Sequence, residues 1–265
     1  MAIGATVRRG TKPAAGGCKL AEPSDFPGSN MPACERSTTS ISTGRSLATV
    51  GALTALVIAW IWPLDGMARD LFAAHMFQHL VVMNVAALLI AVVWQSMRRE
   101  RDSPPKLRRG ELPLVTTAQL AAFWIWHIPA VFATTHHSPI LNGLMQISLF
   151  AAALLFWRAI PRSRGRSAWP SIFALLATAK IFCLLGAILV FSRRALYPAF
   201  GDPQAWELSA LEDQQLAGLL MVSSCAVTYV AAAIALFARW LAMTESDGRG
   251  QPQWARGSSG AIIAE

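Results

Sequence analysis

Two histidines at helical spacing are the residues of this sequence best placed to do chemistry. His75 and His79 are four residues apart, so in a helix they share one face at a separation of about 6 Å. Two imidazoles on one face can bind one metal ion, and Met83 continues that face with a soft ligand that suits copper. His127 could add a third imidazole from a later segment. The sequence therefore predicts a metal site at His75, His79 and His127, supported by Met83.

Two other interpretations of these histidines stay open. Histidines near a membrane surface can simply form hydrogen bonds with neighbours, and two histidines on different helices could hold a haem between them. His75 and His79 cannot both be axial ligands of one haem, because they point the same way. We favour copper over haem as the cofactor. His136 and His137 are adjacent in the sequence, and we expect them to be solvated.

The composition indicates the setting in which these residues work. The 265 residues are 54% hydrophobic and only 14% charged, whereas soluble domains carry roughly 25% charged residues. A mean hydropathy of +0.42 agrees with this. These values exclude a disordered, collagen-like or small disulfide-rich chain as the main description and argue against a soluble enzyme. The four cysteines show no CxxC spacing, so no zinc or disulfide framework is indicated.

Six apolar segments approach the length of about 20 residues that a membrane-spanning helix needs. They cover residues 47–64, 71–94, 113–133, 140–157, 172–191 and 216–238. The predicted fold class is an all-α, polytopic transmembrane helical bundle of about six spans. Pro129 predicts a kink or an early end of the third span, and Gly143, Gly186 and Gly218 favour close approach of helices.

The placement of the basic residues predicts the orientation. Nineteen of the 23 lysines and arginines lie before residue 47, after the second and fourth spans, or at the C-terminal end, and only three lie on the opposite side. By the positive-inside rule both termini are cytoplasmic, and all five histidines fall near the outer face of a bacterial inner membrane. Because the positive charge is split among four flanks, we expect no nucleic-acid partner. We expect membrane lipids to be partners instead. Residues 1–46 are predicted to be a disordered tail and residues 243–265 a flexible one.

Two charged residues accompany the predicted spans. Asp213 begins the sixth span at the level of the histidines, where it could contribute an oxygen or orient an imidazole. Lys180 lies within the fifth span, where an isolated charge costs about 3 kcal/mol on insertion scales. It could extend toward the cytoplasmic surface or pair inside the bundle.

Several blocks of the sequence resemble the CtaG-type cytochrome c oxidase assembly factors. They occur in the family's order over about residues 60–242. The blocks are Trp62-Pro63-Leu64-Asp65 with His75-Met76-Phe77-Gln78-His79-Leu80, then Trp124-Ile125-Trp126-His127-Ile128-Pro129, then Leu185-Gly186-Ala187-Ile188-Leu189 with Leu196-Tyr197-Pro198, and Asp213-Gln214-Gln215-Leu216-Ala217-Gly218-Leu219.

The resemblance implies an integral membrane factor that helps a haem–copper oxidase to mature at its copper centres, without enzymatic activity. It carries over to Asp65, His75, Gln78, His79, His127 and Asp213. Partners would be oxidase subunits or other assembly factors. Two alternatives are kept: a redox subunit that binds haem or quinone, and a permease for a metal or small solute with Lys180 in its path.

This sequence departs from the family pattern in two spans. The second span has Ala86-Ala87 where the family tends to have Pro-Pro. The fourth span has Asn142, Met145 and Gln146 where the family often carries a Glu-His pair. If that histidine belongs to a metal site, this chain has lost a ligand, and its metal binding is weaker or altered.

Overall fold

The structure is a computed structural model that describes residues 33–61, 63–101, 110–160, 168–197 and 200–249. In these ranges the chain is mostly helical and contains no strand. Contacts divide the chain into two units, Met1–Gly44 and Arg45–Glu265. Every residue of the predicted site lies in the second unit.

Ten α-helices are present in the described residues, joined in two places by a π-helical turn. Their bounds are α1 Ala33–Trp60, α2 Leu64–Asp70, α3 Phe72–Leu80, α4 Ala87–Arg101, α5 Glu111–Trp126, α6 Pro129–His137, α7 Pro139–Ala159, α8 Ala168–Phe191, α9 Ala210–Cys225 and α10 Ala231–Arg249. The π-helical turns are Val81–Ala86, between α3 and α4, and Ala226–Val230, between α9 and α10. A short 3-10 helix covers Pro203–Trp206.

The predicted all-α polytopic bundle is confirmed. Among the described residues, five helical stretches are long and apolar enough to cross a membrane, namely Thr43–Asp70, Phe72–Arg98, Pro139–Ala159, Ala168–Phe191 and Ala210–Glu245. The bent pair α5 and α6 makes a sixth span if it is counted as one. The first helix begins at Ala33 and the last helix continues to Arg249, and the division into two tails and a transmembrane domain stays a prediction. Residues 1–32 and 250–265 lie outside the described residues.

The break in the third span follows from Pro129, as the sequence predicts. Proline lacks the N–H that a continuing helix needs, so it is tolerated at a helix start and not in its interior. Here α5 ends at Trp126, Pro129 opens α6, and the two axes differ by 77°. His127 therefore lies at the bend, with its backbone outside regular helix (φ −93°, ψ 5°).

The helices around the site pack in a definite order. Helix α3 packs on α9, α5 packs on α7 and α8, and α4 packs on α7. The closest crossing joins α8 and α9, where a Cβ built on Gly218 would lie 2.7 Å from the backbone oxygen of Gly186. Both glycines are needed for that approach, as expected. Gly143 has open space around it, so the same expectation does not apply there.

Candidate functional site

The three predicted histidines meet inside the bundle. The Nε2 atoms of His75 and His79 are 3.0 Å apart, and the ring centroids of His79 and His127 are 5.8 Å apart. All three side chains are buried, with exposed fractions of 5%, 2% and 3% respectively. The helical spacing places the first two together, and the bend before Pro129 brings the third to them.

A methionine for which the sequence gives no special signal contacts this group. The sulfur of Met76 lies 3.3 Å from Nε2 of His127. Met83 is buried in the core beyond the start of the π-helical turn, where its carbonyl accepts a hydrogen bond from Nε1 of Trp157 at 2.9 Å. The four side chains of His75, His79, His127 and Met76 are called the histidine cluster below.

The hydrogen bond at the other nitrogen of His127 sets its tautomer. Nδ1 lies 2.6 Å from the carbonyl oxygen of Phe123. A carbonyl only accepts, so Nδ1 carries the proton and Nε2 keeps its lone pair. That lone pair faces the sulfur of Met76. The same device, a backbone carbonyl behind an imidazole, orients histidine ligands in metal sites.

Two glutamines connect the cluster to neighbouring helices. Gln146 of α7 lies beside His79, and its Nε2 donates to Oε1 of Gln78 at 2.7 Å. Gln78 in turn donates to the carbonyl of Ala59 at 2.6 Å. Gln78 therefore supports the cluster instead of joining it. Gln146, one of the departures from the family pattern, stands next to a cluster imidazole.

Asp213 holds the beginning of the histidine helix. Its two carboxylate oxygens accept from the backbone N–H groups of Phe72 and Ala73, at 2.7 and 2.9 Å. These N–H groups belong to the first turn of α3, which has no side-chain cap of its own. A carboxylate there satisfies two otherwise free donors and complements the positive end of the helix dipole. Asp213 thus caps the helix that carries His75 and His79, and its two expected roles at a metal or an imidazole stay predictions.

The remaining predicted residues lie away from the cluster. Asp65 pairs with Arg69 of the same helix, at 2.6 Å between Oδ2 and Nη2. Lys180 has its side chain on the exposed surface of α8 and is not brought to the histidines. His137 is exposed, and the side chain of His136 lies outside the described residues.

Aromatic rings enclose the histidine cluster where the segment between α8 and α9 packs against it. The centroid of His75 is 5.2 Å from that of Phe132 and 5.3 Å from that of Phe200. Tyr197 donates its hydroxyl proton to the carbonyl of His127 at 2.6 Å. Burial raises the pKa of Tyr197 to about 12, so this hydroxyl stays a donor at neutral pH. The segment is fixed at Gly201 (φ +60°), which packs against the backbone of Asp70.

A cavity of about 280 Å³ reaches this wall from outside the bundle. Residues from several elements line it, including Ala68, Arg69, His75, Thr135, Asn142 and Phe200. His75 is the one member of the histidine cluster among its lining residues. Oδ1 of Asn142 is buried and has no hydrogen-bond partner within the described part of the chain.

The donor types fit a soft metal ion, although the cluster is not a preformed metal site. Imidazole and thioether are ligands of copper. Within residues 33–249, where these are described, no group of three or more histidine, cysteine, aspartate and glutamate side chains is arranged to hold one metal ion. The reason lies in the contacts above: Nε2 of His75 and Nε2 of His79 face each other. The metal site at His75, His79 and His127 stays a prediction.

Some members of the site carry no strong signal in the sequence. Met76 precedes His79 by three residues and Met83 follows it by four, so both share its helical face. Periodicity alone could not choose between them. Phe132 and Tyr197 are ordinary aromatic residues of their segments, and only the fold shows that they enclose the cluster.

Comparison with known protein families identifies a family that covers most of the chain. The family described as cytochrome c oxidase caa3 assembly factor matches residues 31–243. No curated protein and no solved structure matches the chain.

Proposed function

The chain belongs to the cytochrome c oxidase caa3 assembly factor family, and we propose that its part in oxidase assembly is to hold copper as a cargo. A role in cytochrome c oxidase assembly follows from the family. The copper cargo, its binding at the outer face of a bacterial inner membrane, and delivery to an oxidase subunit or another assembly factor are our proposal. The role requires no enzymatic step.

The observation that carries this proposal is the convergence of three imidazoles and one thioether in a buried space. All four ligands are neutral when they bind, and thioether sulfur selects soft ions such as Cu(I). A monovalent ion also adds less charge to a buried site than a divalent one. The donor set therefore favours Cu(I) over zinc, calcium or magnesium.

Binding requires a local exchange of partners. In the contact between His75 and His79, one Nε2 donates and the other accepts. A metal ion would replace this hydrogen bond, and whichever imidazole donates its Nε2 proton would have to give that proton up at Nε2 to bind. His127 needs no such change, because its proton is already on Nδ1. The residues that would hold copper are His75, His79, His127 and Met76.

The geometry favours copper over the alternatives. A haem held between two imidazoles places its iron between their Nε2 atoms, whereas Nε2 of His79 contacts Nε2 of His75 at 3.0 Å and Nε2 of His127 contacts the sulfur of Met76 at 3.3 Å. A permeation path through Lys180 has no support, because that side chain lies on the exposed surface of α8.

Copper binding is tested on the purified full chain in detergent under anaerobic, reducing conditions. Titration with Cu(I) against a chromogenic chelator should give one ion per chain. His79→Ala and His127→Ala should each weaken binding at least tenfold, and Met76→Leu should weaken it less. His137→Ala, which changes an exposed histidine, is the matched control and should bind as the wild type does. If all three cluster variants bind Cu(I) as tightly as the wild type does, the proposal is refuted.

A cellular test addresses the delivery. The gene is deleted in its host, and the copper content and activity of membrane cytochrome c oxidase are measured with and without complementation by His79→Ala. We expect loss of copper from the oxidase in both strains. A deletion strain whose oxidase keeps full copper content would exclude a copper-delivery role.

A further inference from the structure

We propose that the cavity beside His75 is the access route to the histidine cluster, and that His75 is the first ligand to meet an incoming soft monovalent cation. This inference rests on the proposed function, since it concerns how that cargo arrives. It adds the path by which the ion enters, the order in which the ligands meet it, and the effect of a charged pair at the entrance of the cavity.

The position of His75 supports the order. The cavity of about 280 Å³ is lined by His75 and by neither His79 nor His127. The volume is several times that of one water molecule, about 30 Å³, so a cation with part of its hydration shell fits. An ion that reaches the inner imidazoles by this route contacts His75 on the way.

The next step inward is short. Nε2 of His75 is 3.0 Å from Nε2 of His79, so a two-coordinate ion can exchange one imidazole for the other with little movement. His127 and the sulfur of Met76, which are 3.3 Å apart, then complete the coordination. The order His75, His79, then His127 with Met76 follows from these contacts.

Asn142 gives the cavity a polar wall. Its Oδ1 is buried without a hydrogen-bond partner among the described residues, and its side chain lines the cavity. A buried amide oxygen without a partner carries a free-energy cost unless something binds it. A turn of the Asn142 amide toward the cavity would let an entering hydrated cation supply that partner.

The rim carries a neutralised charge. Arg69 lines the cavity and would repel a cation, but Asp65 lies 2.6 Å from its guanidinium. The pair brings no net charge to the mouth. Asp65, which the sequence places among the site residues, therefore affects the rate at which the ion enters the cavity and does not coordinate it.

Chemical labelling tests the access route without any metal. The purified full chain is treated briefly with diethyl pyrocarbonate, which acylates accessible imidazoles, and modification at each histidine is followed by mass spectrometry. His75 should react at least tenfold faster than His79 and His127. Asn142→Phe, which fills the cavity, should slow the labelling of His75 at least tenfold and leave that of His137 unchanged. Equal rates at the three cluster histidines of the wild type would overturn the proposal.

Binding kinetics test the same route with a metal. Silver(I) nitrate, a stable stand-in for Cu(I), is mixed rapidly with the protein, and the change in tryptophan fluorescence is followed. Asn142→Phe should slow association at least tenfold while the equilibrium Kd changes by less than about threefold. The control Leu144→Phe adds the same ring on an exposed position of α7 and should bind as the wild type does. If silver(I) binds the wild type and Asn142→Phe at the same rate, the proposed access route is overturned. If silver(I) does not bind the wild type at all, the copper proposal itself is refuted.

The rim gives an independent measurement. Asp65→Asn leaves the charge of Arg69 uncompensated, so association of silver(I) should slow a few-fold in 10 mM salt and return to the wild-type rate near 0.5 M, where charges are screened. Adding Arg69→Ala to that variant should restore the rate at low salt. If circular dichroism shows that Asn142→Phe does not fold, the labelling order of the wild-type histidines and the two rim variants test the access route instead. Salt-independent, wild-type rates in Asp65→Asn would contradict the placement of the rim on the route.

Discussion

The carboxylate of Asp213 should contribute more to stability than its distance from the histidines implies. It accepts two backbone hydrogen bonds in the first turn of α3, at 2.7 and 2.9 Å. Asp213→Leu leaves both N–H groups buried without an acceptor, at about 1–3 kcal/mol each, so we expect a loss of about 2–6 kcal/mol. Asp213→Asn keeps one accepting oxygen and loses one bond and the charge at the helix end, so it should cost about 1–3 kcal/mol.

The assay is unfolding by sodium dodecyl sulfate in dodecylmaltoside micelles, followed by far-UV circular dichroism. The matched control is Asp202→Asn, the same substitution at an exposed side chain, which should unfold as the wild type does. The expected order of stability is wild type equal to Asp202→Asn, then Asp213→Asn, then Asp213→Leu. The reasoning is refuted if both Asp213 variants unfold with the wild type, because the bonds would then contribute nothing.

Three further predictions concern the packing around the cluster. Gly218→Ala should lower the stability of the bundle in the same assay, because its Cβ would meet backbone at 2.7 Å, whereas Gly143→Ala, in open space, should be neutral or stabilising; equal effects would contradict the close crossing. Gly201→Ala should detach the segment before α9, since its Cβ would lie 2.1 Å from a backbone oxygen and its φ is +60°, and labelling of the cluster histidines should then speed up; unchanged labelling would argue against that segment as a cover. Tyr197→Phe removes the hydrogen bond to the carbonyl of His127 and should cost about 1 kcal/mol. Burial raises the pKa of Tyr197 to about 12, above the usual value of about 10. The stabilisation by this hydroxyl is therefore complete below pH 10 and is lost as the pH rises toward 12. If Tyr197→Phe loses as much stability over that pH range as the wild type does, the prediction is contradicted.

The parts of the structure that depend on local pattern could be predicted from the sequence. Apolar length fixed the number of spans, and the missing N–H of Pro129 predicted the bend. Helical periodicity placed His75 beside His79. His127 needed one more argument, the alternation of spans across the membrane, which puts two distant segments at one level.

The parts that depend on packing could not be predicted in this way. The contact of Met76 with His127 depends on the packing of two segments, because Met76 and Met83 share one helical face with His79 and periodicity does not choose between them. The role of Asp213 depends on α9 packing against α3, a contact across 140 residues of sequence. In the sequence Gln146 stands out only as a departure from a family pattern, and its position beside His79 comes from the fold.

The cap that Asp213 places on α3 has a consequence for biosynthesis. Spans leave the ribosome in order, so α3 enters the membrane well before α9 is made, and until then its first N–H groups lack their acceptors. The first turn of the histidine helix therefore gains these acceptors only when the last span has been made. We expect truncated or half-inserted chains to hold the start of this helix, and the histidines on it, more loosely than the completed chain does.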